Sequence, residues 1–399
     1  MKILSKICFL TLATLILVSC NKDFTISPIQ ADSFIKLFGS FQWDQGVDVK
    51  QTADGGYAIL GTTTTTENGT DLYLIKTDKY GNEEWSNTLG GKNNDLGSAF
   101  QVTSDGGFVL VGTITDTTSS ETNYTDVFLV IISSSGNEEW SKQIGGIGNQ
   151  RGNYIQLTSD EGFIITGSTD AIISGETDVL LLKTNSLGDS LWSKTIGFEG
   201  NDYGTCVQED NNNGYIIIGT TSNSNTGQAN TNILLVQTNY SGGIRTAETF
   251  GGLGFDEGKK LQVLSDGYVF AGTTTLVGGT PSMILVKLEG NIYSDPVFEK
   301  KFGGSNLSEG NAVITTDDGG FALVGSLEFA ASKDVYFIKT DEQGDEQITE
   351  KFGGSSDETG FAVEQTGDGG FILVGSTEFE GNSMITLIKI NSEGKLESN

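Results

Sequence analysis

The sequence contains no histidine. That absence removes Ser-His-Asp and Cys-His nucleophile systems, and His-ligated zinc or iron, from the available chemistry. Cysteine is nearly as scarce. Of the 3 present, Cys8 lies in an N-terminal apolar run and Cys20 closes it, so Cys206 stands alone in the body of the chain with no partner for an intrachain disulfide. There are only 3 prolines and 3 methionines, and no segment after Val18 sustains a helical period. Positive charge is short too, with 23 Lys and Arg against 52 Asp and Glu and a formal net charge of −29. A surface of that sign repels nucleic acid and anionic lipid, and its plainest role is solubility.

What the chain has in excess is glycine, 55 residues of it, and much of it belongs to one recurring unit. Asp54-Gly55-Gly56-Tyr57, Asp105-Gly106-Gly107-Phe108, Asp318-Gly319-Gly320-Phe321 and Asp368-Gly369-Gly370-Phe371 mark four copies, and worn versions follow Asp160, Asn212 and Asp266. Seven copies of one supersecondary unit imply a closed ring. Within residues 97–145, alternation and turn residues give four strands, a to d: 97–103, 108–113, 126–131 and 139–144. Asp105-Gly106-Gly107 suits a tight a–b hairpin. Strands b and c are almost continuous apolar runs, as expected where both sheet faces are covered. The expected fold is therefore all-β, a seven-bladed β-propeller of four-stranded blades. The chain ends where the seventh strand d should begin, whereas Phe34 to Gly39 matches Trp85 to Gly90, so the ring is expected to be closed by the N-terminal strand, which removes an open edge. Gly61, Gly112, Gly167, Gly219, Gly272, Gly325 and Gly375 fall at one place in strand b, where close approach between blades is the expected reason.

At the N-terminus, Lys2 and Lys6 precede an apolar run from Ile7 to Val18 that is too short for an ordinary membrane span and has the form of an export signal. Its end, Leu17-Val18-Ser19-Cys20, resembles the bacterial lipobox. That resemblance implies a signal peptide over 1–19, lipid on Cys20, a tether over 20–32 and the propeller over 33–399. Acyl chains buried at about 0.8 kcal/mol per methylene would hold such a protein on a membrane without spanning it. Asn21-Lys22-Asp23-Phe24 resembles the tether of Bacteroidota lipoproteins, which implies the outer membrane, on its periplasmic face or at the cell surface.

Thr77-Asp78-Lys79-Tyr80-Gly81-Asn82-Glu83-Glu84-Trp85 is similar to the tryptophan-docking repeat of quinoprotein-like propellers, and the match recurs in Gly136 with Trp140 and Gly188 with Trp192. It fades at Thr246 and Ile348, with Leu or Val expected in the other copies. The resemblance implies that these tryptophans pack over the neighbouring blade. Quinone enzymes of that superfamily also use a vicinal disulfide and a metal site, and a chain with one cysteine in its body is expected to carry no cofactor. Over 38–399 the Asp-Gly-Gly-Phe repeats also resemble Bacteroidota envelope lipoproteins.

One constellation recurs in the d–a turn. Two residues before its glycine stand Asp44, Asp95, Gln150, Asp202, Asp256, Ser308 and Glu358, and five of these are acids. They are expected to form a ring on the face that also carries the b–c loops. Two roles are open: each acid accepts N–H groups of its own turn, or the ring attracts a cation or a basic protein partner, with any metal unknown. Gln101, Gln156, Gln208 and Gln262, with Lys50 and Glu364, are expected to line the channel. Glycoside hydrolysis needs two carboxylates at a set separation in a cleft, and no pair stands out. The expected function is a non-catalytic, monomeric interaction platform for a protein or glycan. The alternative is a polysaccharide hydrolase or lyase using paired carboxylates.

Overall fold

The computed structural model describes residues 32–40, 42–65, 69–115, 124–170, 176–222, 230–330 and 332–397; Cys20 and most of the tether lie outside them. Among the described residues there are 28 strands and no helix, arranged as seven four-stranded antiparallel sheets. Blades 1 to 6 are residues 45–89, 96–144, 150–196, 202–250, 257–302 and 308–352, each with strands a to d in chain order. Blade 7 takes Glu358–Gln365, Phe371–Phe379 and Asn382–Ile390 as strands a to c, and Phe34–Phe38 as strand d. Phe34 lies opposite Lys389 and Phe38 opposite Ile385. Glu397 N donates to Ser33 Oγ at 2.6 Å, so the two ends of the propeller are tied together as well as paired.

The repeated glycines come in pairs. Gly46 of strand a lies opposite Gly61 of strand b, Gly97 opposite Gly112, and so on through Gly360 and Gly375, with a bulge in strand a one step later in every blade. A Cβ on Gly97 would stand 2.6 Å from the carbonyl oxygen of Gly61 in the blade before, and one on Gly46 would stand 3.0 Å from that of Gly375. Blades therefore meet backbone to backbone near the axis, where a methyl group has no room. The strand b glycine answers to a different constraint: a Cβ on Gly112 would stand 2.1 Å from Leu96 O in its own blade. The expected close approach between blades thus belongs to the strand a glycine, and its partner makes room for the bulge.

At the outer edge, aromatic rings dock on the positive-φ glycine of the next blade's c–d turn. A Cβ on Gly136 would meet Trp85 at 3.0 Å, one on Gly188 would meet Trp140 at 2.5 Å, and one on Gly242 would meet Trp192 at 2.8 Å. The same place holds Phe34 against Gly81 and Phe298 against Gly344, so the Leu or Val expected there is corrected to phenylalanine. Thr246 is too short to dock, nothing lies within 4 Å of a Cβ on Gly290, and blade 5 instead buries Ile292 from its own longer turn.

Strand c carries a lysine inside its apolar run, and this lysine staples the Asp-Gly-Gly hairpin. Lys76, Lys183, Lys287, Lys339 and Lys389 pair with Asp54, Asp160, Asp266, Asp318 and Asp368 at 2.8, 2.9, 3.1, 2.5 and 2.9 Å. The Nζ atoms of Lys76, Lys183 and Lys389 also donate to the carbonyl of the following residue at 2.8, 2.9 and 3.0 Å. Blade 4 substitutes Gln237, which donates to Asp210 at 3.1 Å and to Tyr268 Oη at 2.7 Å. In blade 2 the position is Ile131, and Asp105 keeps only its turn bonds, from Thr103 Oγ1 at 2.5 Å and Gly107 N at 3.2 Å.

Candidate functional site

The residues singled out in the d–a turn occupy equivalent corners and are buried: Asp44, Asp95 and Asp202 are 0% exposed, Asp256 1% and Glu358 7%. Each accepts the N–H four residues before it. Ser40 N reaches Asp44 Oδ2 at 2.7 Å, Gly91 N reaches Asp95 Oδ2 at 2.5 Å and Phe198 N reaches Asp202 Oδ2 at 2.6 Å. Gly252 N reaches Asp256 Oδ2 at 2.9 Å and Gly354 N reaches Glu358 Oε2 at 3.3 Å, while Gly146 N bonds Gln150 Oε1 at 2.8 Å. Where the second oxygen is bonded, strand b supplies the donor: Thr63 Oγ1 for Asp44, Thr115 N at 2.8 Å for Asp95 and Thr274 Oγ1 at 2.5 Å for Asp256. The carboxylates therefore look into their own turns and not out from the face.

Strand c adds a second polar residue to most of these corners, which sequence reasoning missed. Asp71 shares a corner with Asp95, Asp126 with Gln150, Asp178 with Asp202, Asn232 with Asp256 and Asp334 with Glu358. Burial pushes the carboxyl groups of Asp71, Asp95, Asp202 and Glu358 above the usual range, and like charge adds to this for Asp71 beside Asp95, for Asp202 beside Asp178 and for Glu358 beside Asp334. The available signal was an acid or amide five residues before the strand c lysine, as in Asp71 and Lys76 or Asp178 and Lys183.

A second constellation lies on the axis, the only place where blades 1, 3, 4, 5 and 7 can meet. Lys260 Nζ stands 3.8 Å from the Tyr154 ring centroid, and Lys50 Nζ stands 3.7 Å from Asp48 Oδ1. Burial works against the Lys50 ammonium, but Asp48 and Glu364 outweigh it and hold its pKa above the ordinary value. Cys206 is buried beside this group and burial pushes its thiol up, which keeps it protonated and a poor nucleophile at neutral pH. Two ammonium groups here face two carboxylates. In sequence, the place two residues after the strand a glycine is Ala99, Ala312 and Ala362 in three blades but Asp48, Tyr154, Cys206 and Lys260 in the others.

The glutamines expected to line the channel do something more specific, tying strand a of one blade to strand a of the next. Gln101 Nε2 donates to Ile155 O at 3.0 Å, Gln156 Oε1 accepts from Glu209 N at 2.6 Å, Gln208 Oε1 accepts from Val263 N at 2.9 Å and Gln262 Nε2 donates to Val313 O at 3.1 Å. Glu364 Oε2 accepts from Gln51 N at 3.0 Å and carries the belt across the closure.

On the face formed by d–a turns and b–c loops, apolar side chains reach solvent together. Leu253 is 70% exposed and Phe255 54%, in the turn leading to blade 5, and Leu276 and Val277 are exposed in that blade's b–c loop. A Cβ on Gly254 would collide with Thr275 O, so the two segments touch. Beside them a shallow depression of about 270 Å³ is bordered by Phe255, Lys259, Thr275, Pro281 and Glu309. Ile147 and Phe198 extend the apolar character to neighbouring turns.

No protein-family model matches the chain, and no curated protein is similar to it. Solved structures are similar in fold. BBS1N in complex with ARL6DN has a TM-score of 0.51 at 8% identity, covering 92% of this chain and 99% of that one. What they share is the propeller. The Pan2 WD40 domain of Neurospora crassa has a TM-score of 0.50 at 10% identity, covering 90% of this chain and 98% of that one. Trypanosoma rangeli sialidase in complex with the inhibitor DANA has a TM-score of 0.46 at 8% identity, covering 89% of this chain but only 56% of that one, so the chain spans about half the sialidase's length.

Proposed function

We propose that this protein is a lipid-anchored propeller of the bacterial envelope whose d–a and b–c face is a non-catalytic platform for another protein or a glycan. The observation that carries the reading is the patch of Leu253, Phe255, Leu276 and Val277, exposed on a rigid ring beside an open depression. Contiguous exposed apolar groups on a soluble scaffold are a mark of interaction surfaces. BBS1N, a structure of similar fold, was solved in complex with ARL6DN, which supports a protein partner here. The close acid pairs at the corners, Asp71 with Asp95 above all, are buried beyond the reach of a polysaccharide, which favours binding over glycoside hydrolysis. The anchor rests on Leu17 to Cys20, and the outer-membrane placement on Asn21 to Phe24. Residues 21–31 would let the ring stand about 35 Å from its lipid.

Cells carrying the parent or the double variant Leu253→Asp, Phe255→Asp are cross-linked, and the complexes of the full chain are compared by mass spectrometry. A species captured by the parent and lost from the variant is the expected result, and identical sets from both would overturn the platform. Cys20→Ala should abolish labelling with a fatty-acid probe, and persistent labelling would remove the anchor from the reading.

A further inference from the structure

Five buried side-chain oxygens lack any hydrogen-bond partner among the described residues: Thr70 Oγ1, Asp71 Oδ1, Asp126 Oδ1, Asp202 Oδ1 and Thr231 Oγ1. Thr70, Asp71, Asp126 and Thr231 stand at the start of strand c in blades 1, 2 and 4, and Asp202 stands at the start of strand a in blade 4. In blade 1 the corner holds one of them, Asp71 Oδ1, beside a second acid, Asp95. Asp71 is 3% exposed, and its Oδ2 accepts from Thr65 Oγ1 at 3.0 Å while its Oδ1 is left free. A Cβ on Gly90 would lie 2.3 Å from Asp71 Oδ1 and 2.6 Å from Asp95 Oδ2, so the two carboxylate oxygens border the same small space.

We propose that the blade 1 corner, built from Asp71 and Asp95, binds a hard divalent cation, calcium by preference. An unpaired carboxylate oxygen in a buried site beside a second carboxylate needs a positive charge, because neither charge is otherwise compensated. The donors are oxygens of two carboxylates, which excludes the soft-metal sets and matches calcium or magnesium. Calcium accepts the irregular geometry that a β-sheet corner offers, whereas magnesium asks for a near-ideal octahedron. Between blades 3 and 4, Asp178 and Asp202 repeat the acid pair, there with Thr221 of strand b bonded to Asp202. Blade 4 places Asn232 opposite Asp256 and so carries only one of the two charges. Asp95 keeps its bonds from Gly91 N and Thr115 N in this scheme, so the ion adds to the turn and does not replace it.

The test is equilibrium dialysis of the full chain against radioactive calcium with magnesium present in excess, together with melting curves in calcium and in EDTA. The parent should bind calcium with a dissociation constant on the order of 10⁻⁴ to 10⁻³ M, the range of extracellular modules, and melt several degrees higher in calcium. Asp71→Asn should bind one ion fewer, yet melt no lower than the parent in EDTA, since it removes one of two like charges. Asp95→Asn, which removes the other charge and keeps an acceptor for the turn N–H, should likewise bind one ion fewer and serves if Asp71→Asn fails to fold. The proposal is overturned by absence of binding at 5 mM calcium, or by equal stoichiometry in Asp71→Asn. It is also overturned if the parent loses stability between pH 5 and 8 in EDTA and calcium does not restore it, the signature of a shared proton.

Discussion

In blades 1, 3 and 6 strand c has a carboxylate at both ends, and the two ends solve the charge differently. At the hairpin end, Asp54 or Asp160 meets a buried lysine of strand c, the pair is bonded at under 3 Å, and the acid itself stays half in water. At the corner end, Asp95 or Asp202 is fully buried and faces another acid five residues upstream of that same lysine. The hairpin end is complete as protein. The corner end satisfies its backbone donors but leaves oxygens and charge uncompensated. Repetition thus multiplies two devices, one that closes a turn with the chain's own cation and one that is open to a cation from outside.

The largest change would come from removing the frame that holds both ends in blade 7. Deleting Ser33 to Phe38 strips strand d from Asn382–Ile390, exposing the strand that carries Lys389 at one end and Met384 at the other. The ladder is lost along with Phe34 and Phe38, whose burial is worth roughly 1.5 to 3 kcal/mol each. The truncated chain should aggregate or melt at least about 10 °C below the parent. An unchanged melting temperature in calorimetry would mean that the ring closes by other contacts.

A smaller effect separates the two partners of one staple. Asp160→Ala leaves Lys183, whose side chain is 3% exposed, buried without its paired acid, and should cost about 3 kcal/mol in urea unfolding. Lys183→Met leaves Asp160 largely in water and should cost about 1 kcal/mol or less. Equal costs for the two would show that the lysine reaches water more readily than its burial indicates.

Ring size, closure and the positions of the corner acids were legible because each repeats with the hairpin, and a period survives even where single copies wear down to Asp266-Gly267-Tyr268. The staple was not read, because a lysine in an apolar run looks like tolerated polarity until strand c is laid beside the Asp-Gly-Gly turn. The burial of Asp95 or Asp202 was equally hidden: it depends on strand c crossing under the turn, and a turn acid has the same residue pattern whether covered or not. The axial group could not be assembled from sequence at all. Asp48 and Glu364 lie at opposite ends of the chain, and only ring closure brings them to Tyr154, Cys206 and Lys260. Phe298 was lost to a simpler cause, since the docking motif was followed by its tryptophan and not by its glycine, Gly344.

The smallest effect tests the comparison directly, because the two ends titrate in opposite senses. At the hairpin end the bond from Lys339 holds Asp318 down at about 2, below the ordinary value near 3.9. A depressed carboxyl contributes stability that is present above pH 4 and lost as pH falls from 4 towards 2. At the corner end burial raises Asp71, Asp95, Asp202 and Glu358. A raised carboxyl binds more protons in the folded state, so its contribution is greatest below the ordinary value and is lost as pH rises through the folded one. The melting temperature in EDTA should therefore pass through a maximum, falling on the acid side as staples open and again at higher pH as corners ionise. The staple acids are themselves more than half exposed, so solvent screening keeps the acid limb shallow until several titrate together. Asp71→Asn should flatten the neutral limb, calcium should flatten it in the parent, and Lys183→Met should soften only the acid limb. A curve that is level from pH 5 to 7.5 in EDTA would mean that the corner acids ionise normally, and that the two ends of the blade differ in geometry but not in charge.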